Sequence, residues 1–320
     1  GKELGYFFNG VELDNIPEKY EGATVFPPIS GFYVDCTITL DFAGLYPSIM
    51  RSYNLSHDTL VMNGNIPEKS RCMHLSDNTK EDCYFVCTEV RRGIVPTILD
   101  ELVQRRKIAK KEMANATDPF EKSLKNCQQL ALKKAGNSLY GMFGVKFKSL
   151  VACWYIARAI TRRGQEMLWE TKRLVEEKFL QMDLAGKVVY GDTDSVMLNL
   201  PIANDSEGRV AAWKIGEDLA DYVTSCFKED GGNYVELECE TLKAPSLFDK
   251  PKRYVALERE GPDADPHMLY KGIQAARRDT FDLARETFKK SISALCRDGR
   301  QSAQEAVEEM RCIFEDSLQR

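Results

Sequence analysis

The chain has 320 residues, with a hydrophobic fraction of 43%, a charged fraction of 29% and a formal net charge of −5. These values are ordinary for a globular protein with room for two or three subdomains, and no apolar run is long enough to span a membrane. Ten scattered cysteines without a Cys-x-x-Cys pair, and only three histidines, argue against a disulfide scaffold or a zinc site and favour a reduced intracellular protein. The negative charge argues weakly against nucleic-acid binding, although basic residues are concentrated at 105–134 and 271–300.

The predicted elements change in type along the chain. Residues 1–95 are rich in β-formers and turn residues, whereas 97–141 have helical periodicity. This helical region is interrupted at Asp118, an acidic N-cap followed by a proline suited to a first helical position, which predicts a helical hairpin. A long helix at 155–182, a strand–turn–strand at 187–200 and a helix at 209–228 follow. The pattern ends with strands near 234–240 and 253–258 and helices from about 274 onward.

The first candidate site is Asp41, which follows the β-favouring residues 37–40 and precedes a turn of small residues. Pro47 is then placed to begin a helix. An acid at a strand end beside a helix N-terminus can hold a metal ion, while backbone N–H groups receive phosphate oxygens. The alternative is that Asp41 only caps the helix, but an N-cap would lie nearer to Pro47.

The second candidate site is the turn Gly-Asp-Thr-Asp at 191–194, which lies between two predicted strands. Asp192 and Asp194 are two residues apart, so their carboxylates can point to the same side. A bound divalent cation would relieve the repulsion between two such carboxylates. An ordinary hairpin turn rich in aspartate is the alternative explanation.

The third candidate site is a polar stripe on the second helix of the hairpin, comprising Lys122, Asn126, Gln129, Lys133, Asn137 and Tyr140. The predicted packing side of this helix comprises Leu124, Cys127, Ala131 and Ala135. On the preceding helix, Arg106 and Lys110 are one turn apart. If the hairpin closes with these faces together, Arg106, Lys110 and Lys133 converge as three cations suited to a triphosphate. A solvated helix face is the alternative.

Three motifs, in this order, resemble the signature motifs of B-family DNA polymerases. Asp-Phe-Ala-Gly-Leu-Tyr-Pro-Ser-Ile at 41–49 is similar to the first palm motif, Lys-Lys-Ala-Gly-Asn-Ser-Leu-Tyr-Gly at 133–141 to the fingers motif, and Tyr-Gly-Asp-Thr-Asp-Ser at 190–195 to the second palm motif. Supporting similarities at 20–23, 92–96, 252–254, 271–272 and 277–279 extend the resemblance over nearly the whole chain. Residues 20–60 look closest to the polymerases of large DNA viruses, including herpesvirus-like ones, followed by cellular delta-type enzymes.

The resemblance implies an α+β, right-hand polymerase fold whose palm is an antiparallel sheet backed by helices. Residues 1–96 would form the N-terminal part of the palm, 97–145 a helical-hairpin fingers subdomain, 146–258 the rest of the palm and 259–320 the start of a helical thumb. It also implies that the chain is a catalytic fragment of a larger, viral replicative polymerase, acting in the host nucleus if herpesvirus-like.

The implied reaction is template-directed DNA synthesis, in which a primer 3′-hydroxyl attacks a deoxynucleoside triphosphate and pyrophosphate is released. Asp41 and Asp194 would be the principal ligands of two Mg²⁺ ions, for which Mn²⁺ substitutes. Asp192 would be a nearby third carboxylate and the Phe42 carbonyl an added ligand. Lys133 would protonate the pyrophosphate.

The resemblance assigns further residues to substrate binding. Phosphates would contact the backbone at Gly44 and Leu45 and the side chains of Arg106, Lys110 and Lys133. Tyr46 would exclude a ribose 2′-hydroxyl, and Asn137 and Tyr140 would border the nascent base pair. Contacts to the primer–template DNA would come from Lys252, Arg253, Tyr254, Lys271, Gly272, Arg277 and Arg278. A processivity factor would bind through regions outside this chain, and no membrane partner is expected.

Three positions depart from the family pattern. Gly44 stands where serine is usual, Pro251 replaces a lysine, and Gly136 stands where the family tends to carry a larger residue, but none of these removes a metal ligand. Reverse transcriptases and nucleotidyl cyclases also place paired acids on a sheet, although they would lack Ser-Leu-Tyr-Gly on a fingers helix. A protein that only binds DNA would have lost Asp41 or Asp194, and a fragment that binds primer–template too weakly for turnover is a further alternative.

Overall fold

The structure of the chain is a computed structural model that describes residues 22–61, 66–75, 82–145, 151–273, 281–297 and 303–318. The chain divides into two compact units. The first comprises Gly1–Ala23, Gly44–Glu166 and Phe227–Val235, and the second comprises Thr24–Ala43, Met167–Cys226 and Glu236–Arg320. No helix among the described residues combines the length and apolarity that crossing a bilayer requires.

Most of the described elements follow the predicted order of strands and helices, but the strand at His267–Lys271 was not predicted. The strands are β1 (Val25–Phe26), β2 (Gly31–Tyr33), β3 (Thr37–Phe42), β4 (Leu60–Val61), β5 (Ser70–His74), β6 (Asp82–Val86), β7 (Lys187–Asp192), β8 (Ser195–Asn199), β9 (Leu237–Lys250), β10 (Arg253–Arg259) and β11 (His267–Lys271). The helices are α1 (Leu45–Ser52), α2 (Ile94–Asn115), α3 (Pro119–Phe143), α4 (Trp154–Gln181), α5 (Ser206–Glu229), α6 (Asp282–Leu295) and α7 (Ala303–Leu318). The expected mixture of helices with an antiparallel sheet is therefore confirmed.

The second unit is built on an eight-stranded sheet with the strand order β1-β7-β8-β3-β9-β10-β11, and β2 also pairs with β9. Its strand pairs are antiparallel. Strand β3 lies in the middle, and Ile38, Leu40 and Phe42 on it are almost completely buried. Thr37 and Thr39 are buried on the opposite face of the strand, so both faces of β3 are covered. This central position fixes Asp41 near the end of a rigid strand.

Helices α6 and α7 follow the sheet in the second unit. Ile292 and Leu295 of α6 join a buried cluster with Val255 and Leu257 of β10, and Met310 of α7 packs against it. The apolar spacing of α6 thus buries one of its faces against the end of the sheet. Arg277 and Arg278, predicted to bind DNA, lie outside the described residues.

The first unit contains α1, the hairpin of α2 and α3, and a three-stranded sheet with the order β4-β6-β5. Helix α2 begins at Ile94, slightly earlier than predicted, because side chains from a preceding loop accept its first N–H groups. The N–H of Gly93 donates to Asn54 Oδ1 at 2.8 Å and that of Val95 to Ser56 Oγ at 3.2 Å. A Cβ at Gly93 would lie 2.8 Å from the Ser56 Cβ, so this close approach requires glycine.

The start of α3 confirms the capping prediction. The Asp118 carboxylate accepts hydrogen bonds from the N–H groups of Phe120 and Glu121, and Pro119 occupies the first helical position. The two helices therefore form the expected hairpin, with a short connection at 116–118.

The predicted packing side of α3 is wrong. Gln129, Gly136 and Phe143 are the buried residues of this helix, whereas the four residues predicted to pack, Leu124, Cys127, Ala131 and Ala135, are exposed. The reason is close helix packing: a Cβ on Gly136 would lie 3.7 Å from Leu99 Cδ2, and Gln129 is satisfied by a hydrogen bond from Arg106 Nε at 3.3 Å. A partnered polar residue and a glycine thus face α2, which hydrophobic patterning does not anticipate.

Candidate active site

Three aspartates lie at one end of neighbouring strands in the second unit. Asp41 of β3 is paired in register with Ser195 of β8, and Ser195 is paired with Asp192 of β7. Asp194 lies in the turn between β7 and β8, and its carbonyl accepts a hydrogen bond from the Phe42 N–H at 2.9 Å. The fold therefore brings together the two predicted carboxylate sites, which are about 150 residues apart in sequence.

The turn at 192–194 has an unusual backbone. The Asp194 N–H donates to the Asp192 carbonyl at 2.7 Å, which closes a γ-turn around Thr193 with φ of 60°. Positive φ is rare for a β-branched residue. The Thr193 N–H donates to the Thr24 carbonyl at 3.0 Å, and its hydroxyl donates to Asp192 Oδ1 at 3.0 Å. These contacts hold the two aspartates in a backbone conformation that the local sequence would not favour by itself.

The Asp192 carboxylate has several partners of its own. Tyr190 Oη donates to Asp192 Oδ2 at 3.1 Å, and Lys252 Nζ lies 2.7 Å from both carboxylate oxygens. Lys252 has φ of 61°, and its N–H donates to Tyr190 Oη at 2.8 Å. Burial raises the pKa of Tyr190 to about 12, so this phenol remains a neutral donor at neutral pH. Lys252, predicted to contact DNA, thus neutralises a carboxylate predicted to lie beside the metal ions.

The donor atoms at these strand ends suit a hard cation. In the described part of the chain, no three His, Cys, Asp or Glu side chains are grouped so that they could hold a metal ion by themselves. Mg²⁺, however, is usually bound by one or two carboxylates together with water and substrate phosphates rather than by a complete protein cage. Asp41 and Asp194 are two such carboxylates on adjoining elements, and their oxygen chemistry therefore fits this type of site.

Helix α1 of the first unit begins without a capping side chain. Its N-cap is Gly44, with φ of 70° and ψ of 65°, so the alternative that Asp41 is the N-cap is wrong. Glycine adopts this left-handed conformation without strain. Gly44 also brings no side-chain acceptor to the first turn, which includes Leu45 and Tyr46.

The two tyrosines predicted to border the nucleotide are in contact. The Tyr46 and Tyr140 ring centroids are 4.3 Å apart at an interplanar angle of 42°. Tyr140 Oη is 2.9 Å from Thr161 Oγ1, a buried atom on α4. The sequence reasoning did not identify Thr161. It also passed over Gly164 on the same helix, although a glycine within a helical pattern is a signal of close packing.

The cations of the hairpin are spread along it. Arg106 lies level with Gln129, and Leu99 lies level with Gly136, which defines an antiparallel register between α2 and α3. In this register Lys133 and Lys110 are separated by about 12 Å along the helix axes, since each residue rises about 1.5 Å. Lys110, Lys133 and Asn137 are exposed, whereas Arg106 is half-buried.

Lys252, Arg253 and Tyr254 lie near the turn between β9 and β10, and Lys271 and Gly272 lie at the end of β11. Arg253 Nε is 3.5 Å from Asp249 Oδ2, and the Tyr254 ring packs on Phe248 with centroids 5.4 Å apart. Burial raises the pKa of Tyr254. Lys271 is exposed, and Gly272 has φ of 59° at a point where a Cβ would collide with the Lys252 carbonyl.

Comparison with known proteins identifies the family. A family model described as DNA polymerase family B matches residues 8–320. The chain belongs to DNA polymerase family B. DNA polymerase delta catalytic subunits are among the similar proteins of the family. The protein from Candida albicans is 40% identical over 278 residues, which cover 86% of this chain and 26% of the relative. Those from Drosophila melanogaster and Bos taurus are each 36% identical, over 92% of this chain and 27% of the relative.

These relatives confirm the resemblance to the family and change its finer interpretation. The chain spans about a quarter of the length of the curated relatives it matches. The relatives reported above are eukaryotic delta-type subunits, so the expected likeness to polymerases of large DNA viruses is not supported. The delta-type relationship, which the sequence motifs placed second, is the one that the family comparison favours.

Proposed function

We propose that the chain carries the catalytic centre of a DNA-directed DNA polymerase, which adds deoxynucleoside triphosphates to a primer 3′-hydroxyl under the direction of a template and releases pyrophosphate. Membership of family B supports this function. The structural observation that carries it is that Asp41 and Asp194 lie at the same end of adjoining strands, where the Phe42 N–H donates a hydrogen bond to the Asp194 carbonyl. Two acids from distant sequence segments at one sheet end suit phosphoryl-transfer chemistry.

In the proposed mechanism, Asp41, Asp194 and the Phe42 carbonyl would hold two Mg²⁺ ions, for which Mn²⁺ would be an acceptable substitute. Bound divalent cations supply activation of the attacking hydroxyl and stabilisation of the leaving oxygens. Asp192 is the third carboxylate, and its contacts with Tyr190 and Lys252 orient it rather than leaving it to swing in solvent. The protein thus contributes mainly position and fixed charge to the reaction.

The nucleotide-binding roles are proposed from the family motifs. Arg106, Lys110 and Lys133 contact the β- and γ-phosphates, and Lys133 donates a proton to pyrophosphate. The backbone of Gly44 and Leu45 accommodates phosphate at the start of α1, where the N-cap residue Gly44 makes no side-chain cap hydrogen bond. Tyr46 excludes the ribose 2′-hydroxyl, while Asn137 and Tyr140 border the new base pair.

The proposed DNA contacts involve residues that follow β9 in the sequence. They comprise Lys252, Arg253, Tyr254, Lys271, Gly272, Arg277 and Arg278. Contacts of this kind to phosphate and sugar position a duplex without reading its sequence. We also propose that Lys252 exchanges its ion pair with Asp192 for a DNA contact when the duplex binds.

The right-hand organisation is proposed as well. Residues 1–96 and 146–258 form the palm, 97–145 the fingers and 259–320 the start of the thumb. The antiparallel sheet that carries Asp41 and the helical hairpin of α2 and α3 support this division. Similarity to DNA polymerase delta catalytic subunits supports the proposal of a eukaryotic-type replicative enzyme. We further propose that it acts in the nucleus on primer–template DNA and that a processivity factor would bind through regions outside this chain.

Primer extension at low salt with Mg²⁺ and all four deoxynucleotides tests the proposal. The parent chain should extend the primer, and Asp194→Asn should reduce the rate about 100-fold or more, because several kcal/mol of charge stabilisation are lost. Asp183→Asn is the matched control. It makes the same change at an exposed residue with φ of 51°, a conformation that asparagine tolerates, and should retain the parental rate.

Two outcomes would contradict parts of the proposal. Equal extension by the parent and Asp194→Asn would show that the assignment of Asp194 is wrong. Primer–template binding without extension, by the parent as well as by the variant, would show that this chain requires other regions for turnover. A fall in that binding with rising salt would identify it as phosphate-directed.

A further inference from the structure

Gly164 lies within α4 and is buried. Glycine is less favourable than alanine in a helix interior because the unfolded chain loses more conformational freedom. A glycine at such a position therefore usually has a packing reason. The neighbours of Gly164 supply that reason.

The space beside Gly164 is filled by the first turn of α1. A Cβ at position 164 would lie 3.5 Å from Leu45 Cδ2 and 3.7 Å from Ile49 Cδ1, which are ordinary contacts. It would lie only 3.1 Å from Tyr46 Cε1, so the tyrosine ring would have to move by a few tenths of an ångström. The absence of a side chain at 164 thus fixes how closely the Tyr46 ring approaches α4.

A second contact restrains the same ring. Tyr140 packs against Tyr46 with ring centroids 4.3 Å apart. The Thr161 hydroxyl donates to the Ala157 carbonyl at 2.9 Å, so the Tyr140 hydroxyl is the donor in its 2.9 Å contact with Thr161 Oγ1. One turn of α4, from Thr161 to Gly164, therefore positions both tyrosines.

We infer that Gly164 is a positioning residue for nucleotide selection: it sets the position of the Tyr46 ring and thereby the room left for the sugar of the incoming nucleotide. The selectivity part of this inference rests on the role proposed above for Tyr46. The packing part rests on the contacts of the first unit alone.

The packing part is tested without DNA or nucleotide. A single ring fluorine is introduced on Tyr46, and its ¹⁹F resonance is compared in the parent, Gly164→Ala and Gly136→Ala. Gly136→Ala is the matched control because it adds the same methyl group to a buried helix glycine at an ordinary 3.7 Å contact. The resonance should shift in Gly164→Ala and remain close to the parental value in Gly136→Ala. No shift in Gly164→Ala would overturn the inference.

The selectivity part is tested by the kinetics of dATP and ATP incorporation opposite a template thymine. In Gly164→Ala, KM for dATP should rise about 10-fold while kcat changes less than about threefold, because one methyl group displaced into a binding site is worth roughly this factor. The preference for dATP over ATP should increase. In a Tyr46→Ala background, Gly164→Ala should change neither KM for dATP nor the preference for dATP over ATP, because the ring through which it acts is absent.

The remaining outcomes separate this inference from the proposed function. If the parent fails to extend a primer, only the proposed function is contradicted. The fluorine shift still tests whether Gly164 positions the Tyr46 ring. A fluorine shift without a change in KM, or an equal change in KM in both Tyr46 backgrounds, overturns the role in selectivity. If Gly164→Ala folds poorly, the double variant with Tyr46→Ala should recover its melting temperature, and no recovery contradicts the inference.

Discussion

Lys243 places an ammonium group inside the sheet of the second unit. Its side chain is 2% exposed, and Nζ lies 2.7 Å from Glu258 Oε2. It also donates to the hydroxyls of Thr39 and Thr241, each at 2.5 Å. Burial lowers the pKa of Lys243, while the Glu258 carboxylate opposes that shift. Thr39 precedes Asp41 by two residues on β3, so this polar cluster supports the strand that carries a candidate catalytic acid.

We expect Lys243→Met to lower the free energy of unfolding by about 3–5 kcal/mol, because it leaves a largely buried carboxylate without its main partner. The double variant Lys243→Met with Glu258→Gln should recover most of this loss, since no uncompensated charge remains. Urea unfolding of the parent and the two variants measures both effects. A loss below about 1 kcal/mol in the single variant would show that His267, 3.4 Å from Glu258, suffices as a partner.

Glycine has different roles in two of the helices, because one glycine has space for a side chain beside it and the other does not. In α3, Gly136 faces Leu99 with room for a methyl group, whereas in α5 a Cβ on Gly208 would collide with the Ala203 carbonyl. Gly136 therefore only weakens α3, whereas Gly208 allows the close backbone approach at the start of α5. Gly208 also donates its N–H to the Asp205 carboxylate at 2.7 Å.

Gly136→Ala should stabilise the protein by about 0.5–1 kcal/mol, which is the usual difference in helix propensity between these residues. Gly208→Ala should instead destabilise it by about 1–3 kcal/mol, as overpacking commonly does. Thermal and urea unfolding of both variants provide the comparison. Destabilisation by Gly136→Ala would mean that the contact between α2 and α3 has no room for a Cβ.

Both units contain buried thiols, which makes the stability of the whole molecule sensitive to alkaline pH. Burial raises the pKa of Cys83 in the first unit, and of Cys36 and Cys296 in the second, to about 12. A thiol with a raised pKa in the folded state keeps its proton up to a higher pH than it does in the unfolded chain. Its contribution to the free energy of unfolding is fully present below the ordinary thiol pKa and is lost as pH rises from about 9 towards 12.

We expect the free energy of unfolding to decrease above pH 9, by up to about 1.4 kcal/mol per pH unit for each such thiol. Cys83→Ala and Cys296→Ala should each make this decrease shallower, whereas Cys127→Ala, at an exposed thiol, should not. Urea unfolding between pH 8 and 10.5, under reducing conditions, measures the slope. Identical slopes in the parent and both buried-site variants would contradict the prediction.

At the scale of the whole molecule, the sequence by itself determined the order of most elements, the helical hairpin with its Asp118 cap, and membership of the polymerase family. These depend on local periodicity and on motifs of adjacent residues. Only the tertiary structure decided which face of α3 packs, since Gln129 and Gly136 owe their burial to α2. It also decided that Lys252 pairs with Asp192 and that Gly164 lies against Tyr46. These residues are separated by 60 and 118 positions, and no local propensity specifies a contact formed only when distant segments pack together.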